Sequence, residues 1–223
     1  MKVLAIDSAV TKLVIAARND NHTVTVLYDI GMKQSETLLP AINYVLEKNG
    51  LTSSDLDYTI VSAGPGSFTG LRLAFAACKA IEQAYNVPVY GVSTLEAYAF
   101  PYRTLPFIIV PVIDAKKDRF YASVYYGTDV LLIPGDYELN KITNVLSGKD
   151  PVLLCGPDAS LFASQVNQIG SGIKVLKCIC EAVPTDSLFK ILEQRIADNI
   201  PPLKDFDGPF YLRASEAEEK IIS

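Results

Sequence analysis

Histidine occurs once in the 223 residues, at position 22. A single imidazole excludes a His-rich metal centre and leaves a conventional Ser–His–Asp relay hard to build. Cysteine is scarce as well. Cys78, Cys155, Cys178 and Cys180 contain no Cys-x-x-Cys pair of the kind that holds zinc or runs thiol exchange. Cys178 and Cys180, two apart on a strand, would point to one face, and free thiols in a reducing compartment are expected. Long hydrophobic runs are missing. The apolar stretch at 107–113 falls well short of the ~20 residues a membrane helix needs. The N-terminus reaches Asp7 directly after Val3-Leu4-Ala5-Ile6, too soon for the core of a signal peptide. A cytoplasmic protein with no membrane attachment is therefore expected. Positive charge is nowhere concentrated. Lys116-Lys117 is the longest basic run, the net charge is −5 and the pI is about 5.0. Direct nucleic-acid binding draws most of its affinity from phosphate neutralisation by a basic patch, so any contact with RNA should pass through a partner.

What is present is the material of a folded core. Hydrophobic residues make up 49% and charged residues 20%, a globular composition. The length suits one large or two small domains. Strand signals at 2–7, 12–18 and 22–30 are joined by short turn-like links, which predicts an antiparallel meander. A helix is predicted at 36–49, with Leu38, Leu39, Ile42, Val45 and Leu46 as its apolar stripe, Pro40 in its first turn and Asn49-Gly50 as its stop. A strand at 58–63, a helix running to Tyr85 and a strand at 87–92 follow. A second unit opens beyond the Pro-bearing stretch 100–106, with strands at 107–113, 120–126, 130–133 and 152–155 and helices near 137–146, 158–168 and 186–197. Two similar meander openings suggest an internal duplication.

Between the strand at 58–63 and the next helix lies Gly64-Pro65-Gly66-Ser67-Phe68-Thr69-Gly70. Such a loop turns backbone N–H groups and a positive helix end toward an anion. It is not a Walker A loop, because no Lys follows Gly70. It is not a dinucleotide fingerprint, because Thr69 stands where the third Gly belongs. It is not a nucleophile elbow, because Pro65 precedes Ser67 by two. The structural alternative is a tight strand-to-helix turn with Ser67 or Thr69 as N-cap.

The longer string from Gly64 through Leu71-Arg72 resembles the signature of the TsaB (YeaZ) family. Further resemblances follow in order: Met1 to Ala9, Ser35-Glu36-Thr37-Leu38-Leu39-Pro40, Gly91 to Glu96, Asp114-Ala115-Lys116 and Pro209-Phe210-Tyr211-Leu212-Arg213. They are strong mainly in the first 125 residues or so. The chain departs from the family at Gln34, where His is frequent, at Lys116, where Arg is usual, and at Arg119, where Glu is common.

The resemblance implies an α/β chain of actin-like (ASKHA, ribonuclease-H-like) fold in two similar mixed-sheet units, at 1–104 and 105–223. The last helix and tail are expected to pack back on the first half. It implies a non-catalytic subunit of the machinery that makes threonylcarbamoyladenosine on tRNA. That subunit pairs with TsaD, the paralogue that holds a metal with two histidines and transfers threonylcarbamoyl to the adenosine beside the anticodon, and it works with the ATPase TsaE. It implies tRNA contact only through the complex, a homodimer when alone, and no cofactor or metal of its own, with ATP or ADP at a subunit interface the remaining possibility. Asp7, Ser8, Gly64, Gly66, Ser67 and Thr69 are the candidate nucleotide- or anion-binding residues. Leu38 and Ile42 of the first helix, with Leu73, Ala76, Ala80 and Ala84 of the second, are the candidate partner interface, where two helices would meet two from the partner.

Two other functional classes compete with this one. An actin-like kinase or ATPase would use Asp7 and Asp114, each just after an apolar strand, to reach magnesium. However, 7–11 lacks the glycine that close phosphate approach favours. A peptidase would need chemistry that one histidine does not supply.

Overall fold

A computed structural model describes residues 1–212 apart from Met32, Asp150, Cys180, Ala182 and Pro184. Cys180 and Arg213, both used above, lie outside the described residues. The chain divides into two compact units, the first formed by Met1–Thr94 with Val183–Phe210 and the second built on Leu95–Ala182. The division falls between Thr94 and Leu95, ten residues before the boundary expected from sequence.

The first unit holds a five-stranded sheet in the order β3-β2-β1-β4-β5. Its strands are β1 (Lys2–Asp7), β2 (Lys12–Asn19), β3 (His22–Asp29), β4 (Tyr58–Gly64) and β5 (Val89–Ser93). β1, β2 and β3 pair antiparallel as the meander pattern predicts, whereas β4 and β5 join in parallel. Parallel neighbours need crossovers, and helices α1 (Gln34–Lys48) and α2 (Phe68–Tyr85) supply them. β1 is buried almost throughout, because helices cover both faces of a sheet of this kind. α1 and α2 lie side by side on one face. α6 (Thr185–Ala197) packs across β1, β2, β4 and β5. Arg18 on β2 reaches Asp186 and Glu193 of α6 at 3.3 and 3.0 Å and stacks on the Phe189 ring.

Two expectations for α1 change. The helix begins at Gln34, so Pro40 is its seventh residue rather than part of the first turn, and it sits on the solvent side. Leu39 leaves the predicted apolar stripe and is 61% exposed, while Ala41 takes a buried place. At 100° per residue Leu38, Ala41, Ile42, Val45 and Leu46 share the buried sector, and Leu39 falls at its edge.

The second unit repeats the plan in the order β10-β9-β6-β7-β8. Its strands are β6 (Ile108–Lys116), β7 (Arg119–Tyr126), β8 (Asp129–Glu138), β9 (Val152–Cys155) and β10 (Val175–Ile179), with helices α4 (Leu139–Leu146) and α5 (Ala159–Gln168). Phe120 and Phe162 meet edge to face at its centre. β8 runs on through Glu138, so the helix expected from 137 starts at Leu139. β10 and the short helix α3 (Thr94–Ala99) were not anticipated. β10 is an edge strand with a Lys in its middle and half-exposed residues, which blurs any alternation, and α3 follows β5 with no breaker residue between them.

Candidate functional site

The glycine-rich loop is locked onto the hairpin loop between β1 and β2. The Ser67 amide donates to the Ala9 carbonyl at 2.6 Å, and the Ser8 hydroxyl donates to the Gly70 carbonyl at 2.7 Å. A Cβ added at Gly66 would collide with the Ala9 carbonyl oxygen, and one at Gly70 with that of Ser8. Neither glycine is required by a left-handed backbone; close approach of the hairpin demands them. Gly64 does have φ +117°, and a Cβ there would sit 2.6 Å from the Phe210 carbonyl. Ser67 is the N-cap of α2 and its hydroxyl accepts the Gly70 amide at 3.3 Å, while Thr69 points to solvent.

Gln34, where the family often has His, completes this interlock. Its side chain is buried, donates to the Val10 carbonyl at 2.7 Å and closes on Gly70 from the other side. The structure therefore brings Ser8, Gly66, Ser67 and Gly70 together with Gln34. The sequence marked Gln34 only as a departure from the family, and its place just before Ser35-Glu36 was the one signal of this role.

Asp7 ends β1, one residue past the pair Ile6–Val61 with β4, and is fully buried. One carboxylate oxygen takes the Ala9 amide at 3.2 Å, and Oδ2 has no hydrogen-bond partner. Burial pushes this carboxyl up from 3.8 to about 6. The Ala9 amide holds it back only partly. The Ser62 hydroxyl falls short of hydrogen-bond geometry. In the second unit Asp114 is a turn former. Its carboxylate takes the Lys116 amide at 2.8 Å and the Lys116 ammonium at 2.6 Å, while its own amide donates to Asp158. Arg119 pairs with Asp136 at 2.8 Å and Glu138 at 3.2 Å. The lone histidine is structural: its Nδ1 meets Asn49 Oδ1 at 2.9 Å, and Asn49 also donates to the Ala17 carbonyl, tying the end of α1 to the sheet.

The helix face sorts the candidate interface residues. Ala76, Ala80 and Ala84 form an exposed stripe on α2, with Leu73 half-buried beside it. Leu38 and Ile42 do not belong to that face. They lie in the core of the first unit at 3% and 4% exposure, because α1 must cover the sheet with its apolar side. The large apolar side chains that α1 turns outward are instead Leu39 and Tyr44, the latter 47% exposed. Sequence reasoning missed both as surface residues.

The family model described as "TsaD: tRNA N6-adenosine threonylcarbamoyltransferase" matches residues 31–197. A Bacillus subtilis protein, "tRNA threonylcarbamoyladenosine biosynthesis protein TsaB", is 29% identical over the whole of this chain and 98% of its own length. The chain belongs to the TsaB (YeaZ) family. An uncharacterized protein of Mycobacterium tuberculosis is 37% identical over 99% of this chain and 95% of its own. Among solved structures, YeaZ from Pseudomonas aeruginosa superposes with a TM-score of 0.72 at 17% identity, covering 95% of this chain and 99% of that one. Another P. aeruginosa structure, of an uncharacterized protein with similarity to peptidase YEAZ, reaches 0.78 at 18% with the same coverage. These likenesses and the two mixed sheets give the actin-like fold expected for the family.

Proposed function

We propose that this chain serves tRNA threonylcarbamoyladenosine biosynthesis as a non-catalytic subunit that docks on a TsaD-type transferase through the outer face of α1 and α2. The observation that carries the reading is the make-up of that face. Leu39 and Tyr44 offer apolar area, and the alanines at 76, 80 and 84 let a partner helix approach closely. Two paralogues of one fold can pair pseudo-symmetrically through equivalent helices. The buried state of Asp7 supports a subunit without chemistry of its own. The acid that a kinase of this fold would turn toward magnesium has no exposed surface here and lies beside a hairpin filled by the Gly66 and Gly70 contacts. One histidine in the sequence cannot supply the paired imidazoles of a TsaD-type metal site.

The test is reconstitution with the TsaD and TsaE of the same genome and unmodified tRNA. Modification should require this chain, and Ala80→Arg should abolish binding to TsaD while far-ultraviolet circular dichroism is unchanged, since residue 80 faces solvent. Full modification without the chain, or ATP or threonylcarbamoyl turnover by the chain alone, would overturn the reading.

A further inference from the structure

After α6 the chain returns across the first unit as a strap. The Leu203 amide donates to the Val89 carbonyl at 2.8 Å and its side chain fills the space over Gly91. The Phe210 amide donates to the Ala63 carbonyl at 2.6 Å. Between these anchors the strap makes a tight turn at 204–207. The Asp207 amide donates to the Lys204 carbonyl at 3.0 Å, and the Asp207 carboxylate takes the Lys204 amide at 2.8 Å. The same Lys204 carbonyl accepts the Lys79 ammonium of α2 at 2.8 Å. Lys79 stands one residue from Ala80 and three from Ala76, so the turn borders the exposed stripe of α2.

At the tip of this pinned turn, between Asp205 and Asp207, Phe206 is 101% exposed, more than any other large apolar side chain among the described residues. Scattered exposed apolar groups are ordinary, but a phenyl ring held clear of the surface by a cross-linked turn is a different arrangement. The ordering cost of presenting it is already met before any contact forms, which is the condition under which an aromatic anchor adds most to binding. The two flanking carboxylates define what surrounds its receptor: an apolar pocket with basic side chains on its rim.

Resting on the docking reading above, we infer that the 204–207 turn is a second element of the same interface, with Phe206 entering an apolar, basic-rimmed pocket on the transferase partner. Truncation of the ring removes buried area only in the complex. Phe206→Ala should therefore weaken binding to TsaD at least ten-fold while leaving the melting temperature of the isolated chain unchanged. Asp205→Lys should weaken binding and flatten its dependence on salt. Titration calorimetry of both variants, alongside Ala80→Arg and the unaltered chain, decides the matter. If Ala80→Arg abolishes binding and Phe206→Ala binds as the unaltered chain does, the helix face stands and the turn is excluded. If the unaltered chain fails to bind TsaD, both readings fall together. If Phe206→Ala instead disrupts self-association and spares TsaD, a second copy occupies the tip and the assignment to the transferase is wrong.

Discussion

A buried carboxylate makes Asp7 the residue whose chemistry is most out of keeping with its surroundings. It has no exposed surface, one oxygen without a partner and a pKa raised from 3.8 to about 6 by burial. The sign of the linkage is fixed by that direction. The folded state holds the proton more tightly than the unfolded chain, so stability is greatest below pH 3.8 as far as this group is concerned. It falls as the pH rises through 6 and stays reduced above it. The rise from 3.8 to about 6 corresponds to roughly 3 kcal/mol at most. Asn in the same place keeps an oxygen for the Ala9 amide and carries no charge. Asp7→Asn should therefore raise the melting temperature at pH 8, and the gain should vanish by pH 4. Thermal melts across that range check it; an equal or lower melting temperature at pH 8 would mean that the carboxylate has compensation from groups other than Ala9.

At the scale of elements, the interlock of the glycine-rich loop with the β1–β2 hairpin is the feature least tolerant of change. The carbonyls of Ser8 and Ala9 occupy the space a side chain would need at positions 70 and 66. Backbone can yield only by separating the two loops. Gly66→Ala should cost about 2 kcal/mol or more, a drop of roughly 4–8 °C in melting temperature, whereas Gly50→Ala, with open space around its Cβ position, meets only the strain of its positive φ. Sequence alone exposed the loop and the N-cap but not their cause. The string invited an anion-binding interpretation because glycines also mark backbone that approaches phosphate; here the approaching group is the protein's own hairpin. The meander, the two crossovers and α6 were legible because β-branched strands and short turns signal locally. The orientation of α1 was not, since Leu38 and Leu39 are alike in chemistry and only the sheet beneath them distinguishes inside from outside. β10 was hidden by its edge position, where a Lys stands among half-exposed neighbours.

For the whole molecule, the balance of charge bears on how a protein concerned with tRNA modification meets its RNA. Acidic residues outnumber basic ones, 25 against 20. Several of the cations are also engaged locally. Arg18 holds Asp186 and Glu193, Lys79 holds Glu82, Lys116 holds Asp114, and Arg119 holds Asp136 and Glu138. Binding to a phosphate backbone is driven by release of condensed counterions, and each contact needs a cation free to displace one. Ion pairs must open to offer it, and the surrounding net charge of −5 opposes approach within about 8 Å at physiological ionic strength. The isolated chain should therefore leave tRNA unshifted in a gel at about 0.15 M salt up to concentrations near 10 µM, at which basic nucleic-acid-binding proteins already bind non-specifically. On the docking proposed above, addition of a TsaD-type transferase should produce a shifted species that contains this chain. Retardation by the chain alone, with an affinity falling steeply as salt is raised, would show direct phosphate contact and would relocate the RNA-binding role to this subunit.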